Sequence, residues 1–170
     1  MALTVVATVG ASNANSYNTI AGVTSILEGS LWVSNWNTSS GTDRAAAIVE
    51  ATTYLEAVYT PMGKRVTLTQ ALSFPRFNLY HHDTGVLYST TAIPDFILKA
   101  HAYLSDWWLG GNRLEDSGEQ IEEVSDGVMR IRFASGAANT RRNIPGHVLA
   151  LLRPYGQVAG SGGTVKLRRG

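Results

Sequence analysis

The sequence predicts a mostly α (α+β) protein: a small bundle of three to four helices, one β-hairpin and an extended C-terminal arm. Three observations carry this reading. Two stretches, about 42–60 and 93–109, repeat apolar residues at helical spacing. Asp126-Gly127 stands between two alternating segments, the pattern of a hairpin over about 119–133. Residues 156–163 are rich in glycine and lead into a short end that alternates apolar and basic side chains. The chain thus divides into a helical domain over 1–155 and a flexible docking arm over 156–170.

Composition narrows the function. The chain has 170 residues, of which 44% are apolar, enough for one core. No apolar run reaches the length of a membrane span, and no basic region followed by an apolar stretch opens the chain as a signal peptide would. With no cysteine, disulfides and thiolate chemistry are excluded. The net charge of +1 hides a split. Residues 1–126 hold all 13 acids and six bases, a balance of −7, whereas 127–170 hold eight bases and no acid. The C-terminal part is expected to face an anionic surface: nucleic acid, an acidic protein ring or a neighbouring copy.

In chain order, Leu3–Val9 is β-branched and apolar, a short strand by propensity. A helix over about Thr19–Glu28 follows, capped by Asn15, Ser16 or Asn18 and weakened by Gly22, Val23 and Thr24. Trp32 and Trp36 are expected to cover one edge of the core. Thr42 or Asp43 caps the next helix, with Ile48, Ala51, Leu55 and Val58 or Tyr59 on its apolar face, and Pro61 lies beyond its end. Gly63 supplies a positive φ at its exit.

The stretch Gln70–Arg76 is a structural elbow. Pro75 fixes its own backbone and pushes Phe74 into an extended conformation, so Phe74 is wedged between helices while Gln70 and Arg76 fasten the turn. Pro94 and Asp95 open a second strong helix that Gly110-Gly111 ends. Its buried stripe runs through Phe96, Ile97, Ala100, Tyr103, Leu104 and Trp107, with His101 on its surface. The hairpin places Arg130 and Arg132 on one face as an interface. Ile144-Pro145-Gly146 opens a last short helix through Leu152. In the arm, Val165, Lys166, Leu167, Arg168 and Arg169 are suited to add as a strand to a partner's sheet.

Enzymatic constellations are missing. His81-His82-Asp83 has metal-ligating residue types, but neighbours on an extended chain point to opposite sides, and Asp83-Thr84-Gly85 reads as an exposed turn. No Gly-x-Ser-x-Gly elbow accompanies a Ser-His-Asp set. The six acids of 115–126 lack calcium-loop spacing and read as a solvated linker. No catalytic, metal or cofactor residues are assigned.

The string Gln70-Ala71-Leu72-Ser73-Phe74-Pro75-Arg76 resembles a motif of small proteins encoded beside the head genes of tailed bacteriophages. These are called head–tail adaptor, connector or head-completion proteins, and some are filed as DnaT-like single-stranded-DNA-binding proteins. Further strings resemble the family in order: Ala14-Asn15-Ser16-Tyr17; Ala51–Leu55 with Tyr59, Gly63 and Arg65; Ile93-Pro94 with Lys99-Ala100; Pro145 with Leu151-Leu152; and Val165, Leu167, Arg169 and Gly170. The first helix departs from the Ala- and acid-rich helix usual there. The resemblance implies a non-enzymatic adaptor without a cofactor, assembled in the bacterial cytoplasm and sited at the head–tail junction of the virion. It implies a homo-oligomeric ring, a dodecamer, between the portal protein and a downstream tail or head-closure protein, with DNA passing through the channel as a further partner. The alternative is a single-stranded-nucleic-acid-binding protein using the C-terminal bases. Against it, Trp32, Trp36, Trp107 and Trp108 lie in the acidic part of the chain.

Overall fold

The computed structural model describes residues 3–31, 33–111 and 144–158, with the backbone of 121–124 and 131–133. The fold class is as predicted, mixed helix and strand with helices dominant. The helices are α1 (Ile20–Leu27), α2 (Ser34–Thr38), α3 (Gly41–Val58), α4 (Asp95–Leu109) and α5 (Gly146–Leu152). Short antiparallel pairs link β1 (Tyr59–Pro61) with β6 (Gly156–Val158), β2 (Lys64–Arg65) with β3 (Arg76–Phe77), and β4 (Ile121–Val124) with β5 (Ile131–Phe133). The last pair sits where the hairpin was expected.

The helices α3 and α4 pack on each other as the spine, with α1, α2 and α5 packed against α4. Small buried residues at the seam, Ala51 on α3 and Ala100 on α4, let the two backbones approach. One apolar cluster gathers Leu55, Phe74, Phe96, Ile97, Leu104, Val148 and Leu152; a second gathers Val23, Leu27, Val33, Trp36, Ile48 and Ala102. Trp36 is buried, as expected, and is held from several sides. Its backbone N–H donates to Asp106 Oδ1 at 2.8 Å, its indole N–H donates to Thr24 Oγ1 at 3.1 Å, and the Arg44 guanidinium stands 5.3 Å from its ring centroid.

Several local expectations are corrected. Leu3–Val9 joins no sheet; instead Val6 N–H donates to the Asn15 side chain at 2.7 Å, and Asn15 Nδ2 donates to Thr4 O. Asn15, Ser16 and Asn18 therefore do not cap α1. Asn18 Nδ2 reaches Leu98 O at 3.0 Å and ties the entry of α1 to α4, while Thr19 Oγ1 accepts from Gly22 N–H. Ser40, not Thr42 or Asp43, caps α3: its hydroxyl accepts from Asp43 N–H at 3.2 Å. Gly63 has a positive φ of 76°, but in the turn between β1 and β2 rather than at the helix exit.

The division at residue 156 also shifts. Gly156–Val158 pair with Tyr59–Pro61, and Val158 is buried, so these residues complete the domain. Gly156 is required there by space: a Cβ would lie 2.5 Å from Thr60 O. Residues 159–170, including Val165, Lys166, Leu167, Arg168 and Arg169, lie outside the described residues, as does Arg130. Arg132 is described only as backbone in β5, opposite Glu123.

His101 is not on the surface but fully buried between α3 and α4. Thr52 Oγ1 spends its hydrogen on Ile48 O, so the ring nitrogen Nε2, at 2.8 Å from Thr52 Oγ1 and 3.0 Å from Ile48 O, must be the donor. A proton added at Nδ1 would meet no acceptor among the described residues. Burial lowers the pKa of His101 to about 4, opposed by the bond to Ile48.

Two predictions follow from this packing. Phe74 is 2% exposed, with the rings of Tyr17 and Phe96 edge-on to it at 6.0 Å each. Phe74→Ala should cost about 3–5 kcal/mol, read as a lower urea midpoint at unchanged slope; an unchanged midpoint would remove Phe74 from the core. For His101, the unfolded chain binds a proton near pH 6.5 while the folded chain binds it only near pH 4. Stability should therefore fall as pH drops through that window, by a few kcal/mol on the order of the shift. His101→Gln should abolish that part of the slope even if it is less stable throughout, and an identical pH slope in the variant would show that His101 does not carry it.

Candidate nucleic-acid interface

The polypeptide between α3 and α4 presents charged, aromatic and imidazole side chains together. It starts at Glu56 on α3, whose carboxylate accepts from Ser73 N–H at 3.1 Å, from Ser73 Oγ at 2.8 Å and from the Tyr17 hydroxyl. Burial, and then the Glu56 charge beside it, hold the Tyr17 pKa well above its usual value. The elbow Gln70–Arg76 is thereby fastened to α3. Gln70 is buried; its Oε1 accepts from Thr67 N–H at 3.0 Å, and its Nε2 donates to Leu72 O at 2.8 Å and Pro75 O at 3.2 Å. The Phe74–Pro75 peptide bond is cis.

Arg76 closes the elbow against the β1–β2 turn. Its guanidinium donates to Met62 O at 2.6 Å, Gly63 O at 2.7 Å and Ser73 O at 3.0 Å. Desolvation, then the neighbouring Arg65, lower its pKa. These bonds consume Arg76 as a structural group and set β3 beside β2. In that ladder Arg65 opposes Arg76, and Lys64 opposes Phe77. Directly opposed residues share a face. Arg65 therefore sits on the Arg76 side, 3.8 Å from Glu56, and Lys64 shares the other side with Phe77. Lys64 is exposed and Phe77 is 47% exposed. Three residues on, Tyr80 is 53% exposed and is bridged to the exposed Leu87.

His81-His82-Asp83 leads into an exposed turn, as expected, but its two histidines do not point to opposite sides. The chain folds back at Gly85 (φ 66°), with Gly85 N–H donating to His81 O at 2.8 Å and His81 N–H donating to Val86 O at 2.8 Å. Because the backbone bends, the two imidazoles do not diverge. They stack, with centroids 5.4 Å apart and planes 20° apart. His82 Nδ1 lies 2.8 Å from the hydroxyl of buried Tyr155, which Tyr88 OH also reaches at 3.1 Å.

The face away from Glu56 thus joins an exposed lysine to a half-exposed phenylalanine ring, with exposed Tyr80 three residues on. Such a set can neutralise a phosphate backbone and offer a flat face to an unstacked base. Of the residues assigned from sequence, Gln70, Phe74, Pro75 and Arg76 come together here as supports. Lys64, Phe77 and Tyr80 were not singled out from sequence, and neither was Glu56. Lys64-Arg65 after Gly63 and Phe77 after Arg76 were the available signals, but only the register shows that Lys64 and Phe77 share a face.

Gly63 sets that register. A Cβ there would lie 2.2 Å from Phe77 O, at a φ that L residues avoid. Gly63→Ala should destabilise the fold by about 1–3 kcal/mol and displace Phe77. Thermal melting and amide chemical shifts of residues 63–65 and 76–78 check this; unchanged shifts would mean that the ladder accommodates the methyl group.

A family model described as “Putative DnaT-like ssDNA binding protein” matches residues 1–170. No curated protein and no solved structure matches the chain. The match spans every residue, and the chain belongs to that family.

Proposed function

We propose that the protein binds single-stranded nucleic acid without catalysing a reaction, and that the β2–β3 face is part of the binding surface. The observation that carries this reading is the cross-strand pair of exposed Lys64 and half-exposed Phe77, with Tyr80 beyond it. The family match supports the same reading. Phe77 and Tyr80 would stack with bases, Lys64 would pair with a phosphate, and the eight bases of 127–170 would extend the electrostatic footprint.

The test is fluorescence anisotropy of a labelled oligothymidylate across a salt series. Affinity should fall with salt by a log–log slope of about −0.7 per phosphate neutralised. Phe77→Ala should weaken binding about 5- to 150-fold, the range for one lost base–aromatic stack. Lys64→Ala should flatten the salt slope. Binding that depends on neither residue, or no saturable binding at low salt, would overturn the assignment of this face.

A second reading is the phage head–tail adaptor. Leu31, Leu68, Val86 and Leu87 are exposed apolar side chains of the kind that protein interfaces cover. With the motif order along the sequence, they support a ring, a dodecamer, docked on a portal protein in the virion and presenting a surface to a downstream tail protein. Light scattering separates the two readings. A mass near twelve chains with feeble retention on single-stranded DNA favours the adaptor; a small species with salt-dependent binding favours the nucleic-acid binder.

A further inference from the structure

We propose that His81, His82 and Asp83 form a site for a divalent transition-metal ion of the zinc class. The proposal is independent of the nucleic-acid reading. Each of the three residues offers one ligand atom, and these atoms all lie within 4.8 Å of one another. His82 Nε2 and Asp83 Oδ1 are already 3.0 Å apart, close to the roughly 3.3 Å edge of a tetrahedron around zinc at the usual bond lengths. His81 lies on the same side of the turn, stacked on His82. Its Nδ1 receives Asp83 N–H at 3.4 Å, a contact that keeps the ring against the turn.

The outer contacts strengthen the case. Metal-bound histidine usually has its second nitrogen held by an oxygen partner, which fixes ring orientation. Here His82 Nδ1 is 2.8 Å from Tyr155 Oη. Tyr155 is itself fixed: it is buried, it stacks on Phe96 with centroids 4.0 Å apart, and Tyr88 OH donates to it at 3.1 Å. The ring of His82 is therefore aimed from the core outward, with Nε2 presented beside Asp83. Two imidazoles and one carboxylate suit zinc, nickel or copper rather than magnesium or calcium, which prefer all-oxygen shells. Three protein ligands leave room for water or a further donor. The ion would pin the 81–86 turn to the segment that follows α5 through His82 and Tyr155.

The experiment is isothermal titration of the full chain with zinc chloride alone, with magnesium chloride as the comparison. One equivalent of zinc should bind saturably, and magnesium should not. His81→Ala, His82→Ala and Asp83→Asn should each weaken zinc binding tenfold or more, while His147→Ala should leave it unchanged. Tyr155→Phe should weaken it about 10- to 100-fold with the three ligands intact. Asp83→Asn keeps the shape of an exposed turn residue, so its loss of binding at unchanged circular dichroism separates ligation from misfolding. No saturable zinc uptake, equal uptake of magnesium, or full affinity in any of the three ligand variants overturns the site. A histidine–aspartate pair that only braces the turn predicts the first of these outcomes.

Discussion

The carboxylate of Glu56 is the point on which the middle of this chain depends. A helix and a proline elbow have no regular way to share backbone hydrogen bonds. Ser73 donates both its backbone N–H and its hydroxyl to that carboxylate, and Tyr17 adds its phenol from the N-terminal segment. Three stretches of sequence thus meet at one charge. Charge-assisted bonds are stronger than neutral ones, and each removes a donor that would otherwise be stranded in a partly dry site. With the elbow located, Phe74 enters the core between Tyr17 and Phe96, and Arg76 is delivered to the carbonyls of Met62, Gly63 and Ser73. The exposed ladder is a product of that chain of supports.

The division of labour between neighbouring residues is instructive. Arg76 and Arg65 are cross-strand partners, yet the first is spent on carbonyls and the second stays near Glu56. Lys64 and Phe77, one step along, have no such task among the described contacts and face solvent. Two adjacent bases in a sequence can therefore differ completely in what they offer a ligand.

Elements stabilised by their own periodicity were legible in the sequence: α3, α4 and α5 lie where apolar spacing put them, and Gly110 stops α4. Elements that exist only through distant partners were not. Tyr59 pairs with Val158, and no local pattern in a three-residue strand announces that register. The cap of α3 was missed because Ser40 lies just outside the apolar pattern. His101 was misread although the signal was present: it stands four residues after Ile97 and three before Leu104, on the buried side of the helix. The candidate site was partly legible. Its supports, Gln70 to Arg76, stood out as a motif, whereas its exposed groups depend on strand register and on a turn that brings His81 and His82 together.

The pairing of β1 with β6 has a consequence for the order of assembly. Residues 59–61 emerge directly from α3, but their partners 156–158 follow only after α4 and α5. The buried ring of Tyr59 also gives its hydroxyl to Leu152 O. Until the second half of the chain is present, one end of α3 carries an unpaired edge and a phenol without its acceptor. The helical spine can form from contacts much nearer in sequence, whereas this clasp waits for the most separated pairing and pays its loop-closure entropy last. In synthesis, the exposed edge of β1 is therefore where the unfinished chain is most open to pairing with another strand.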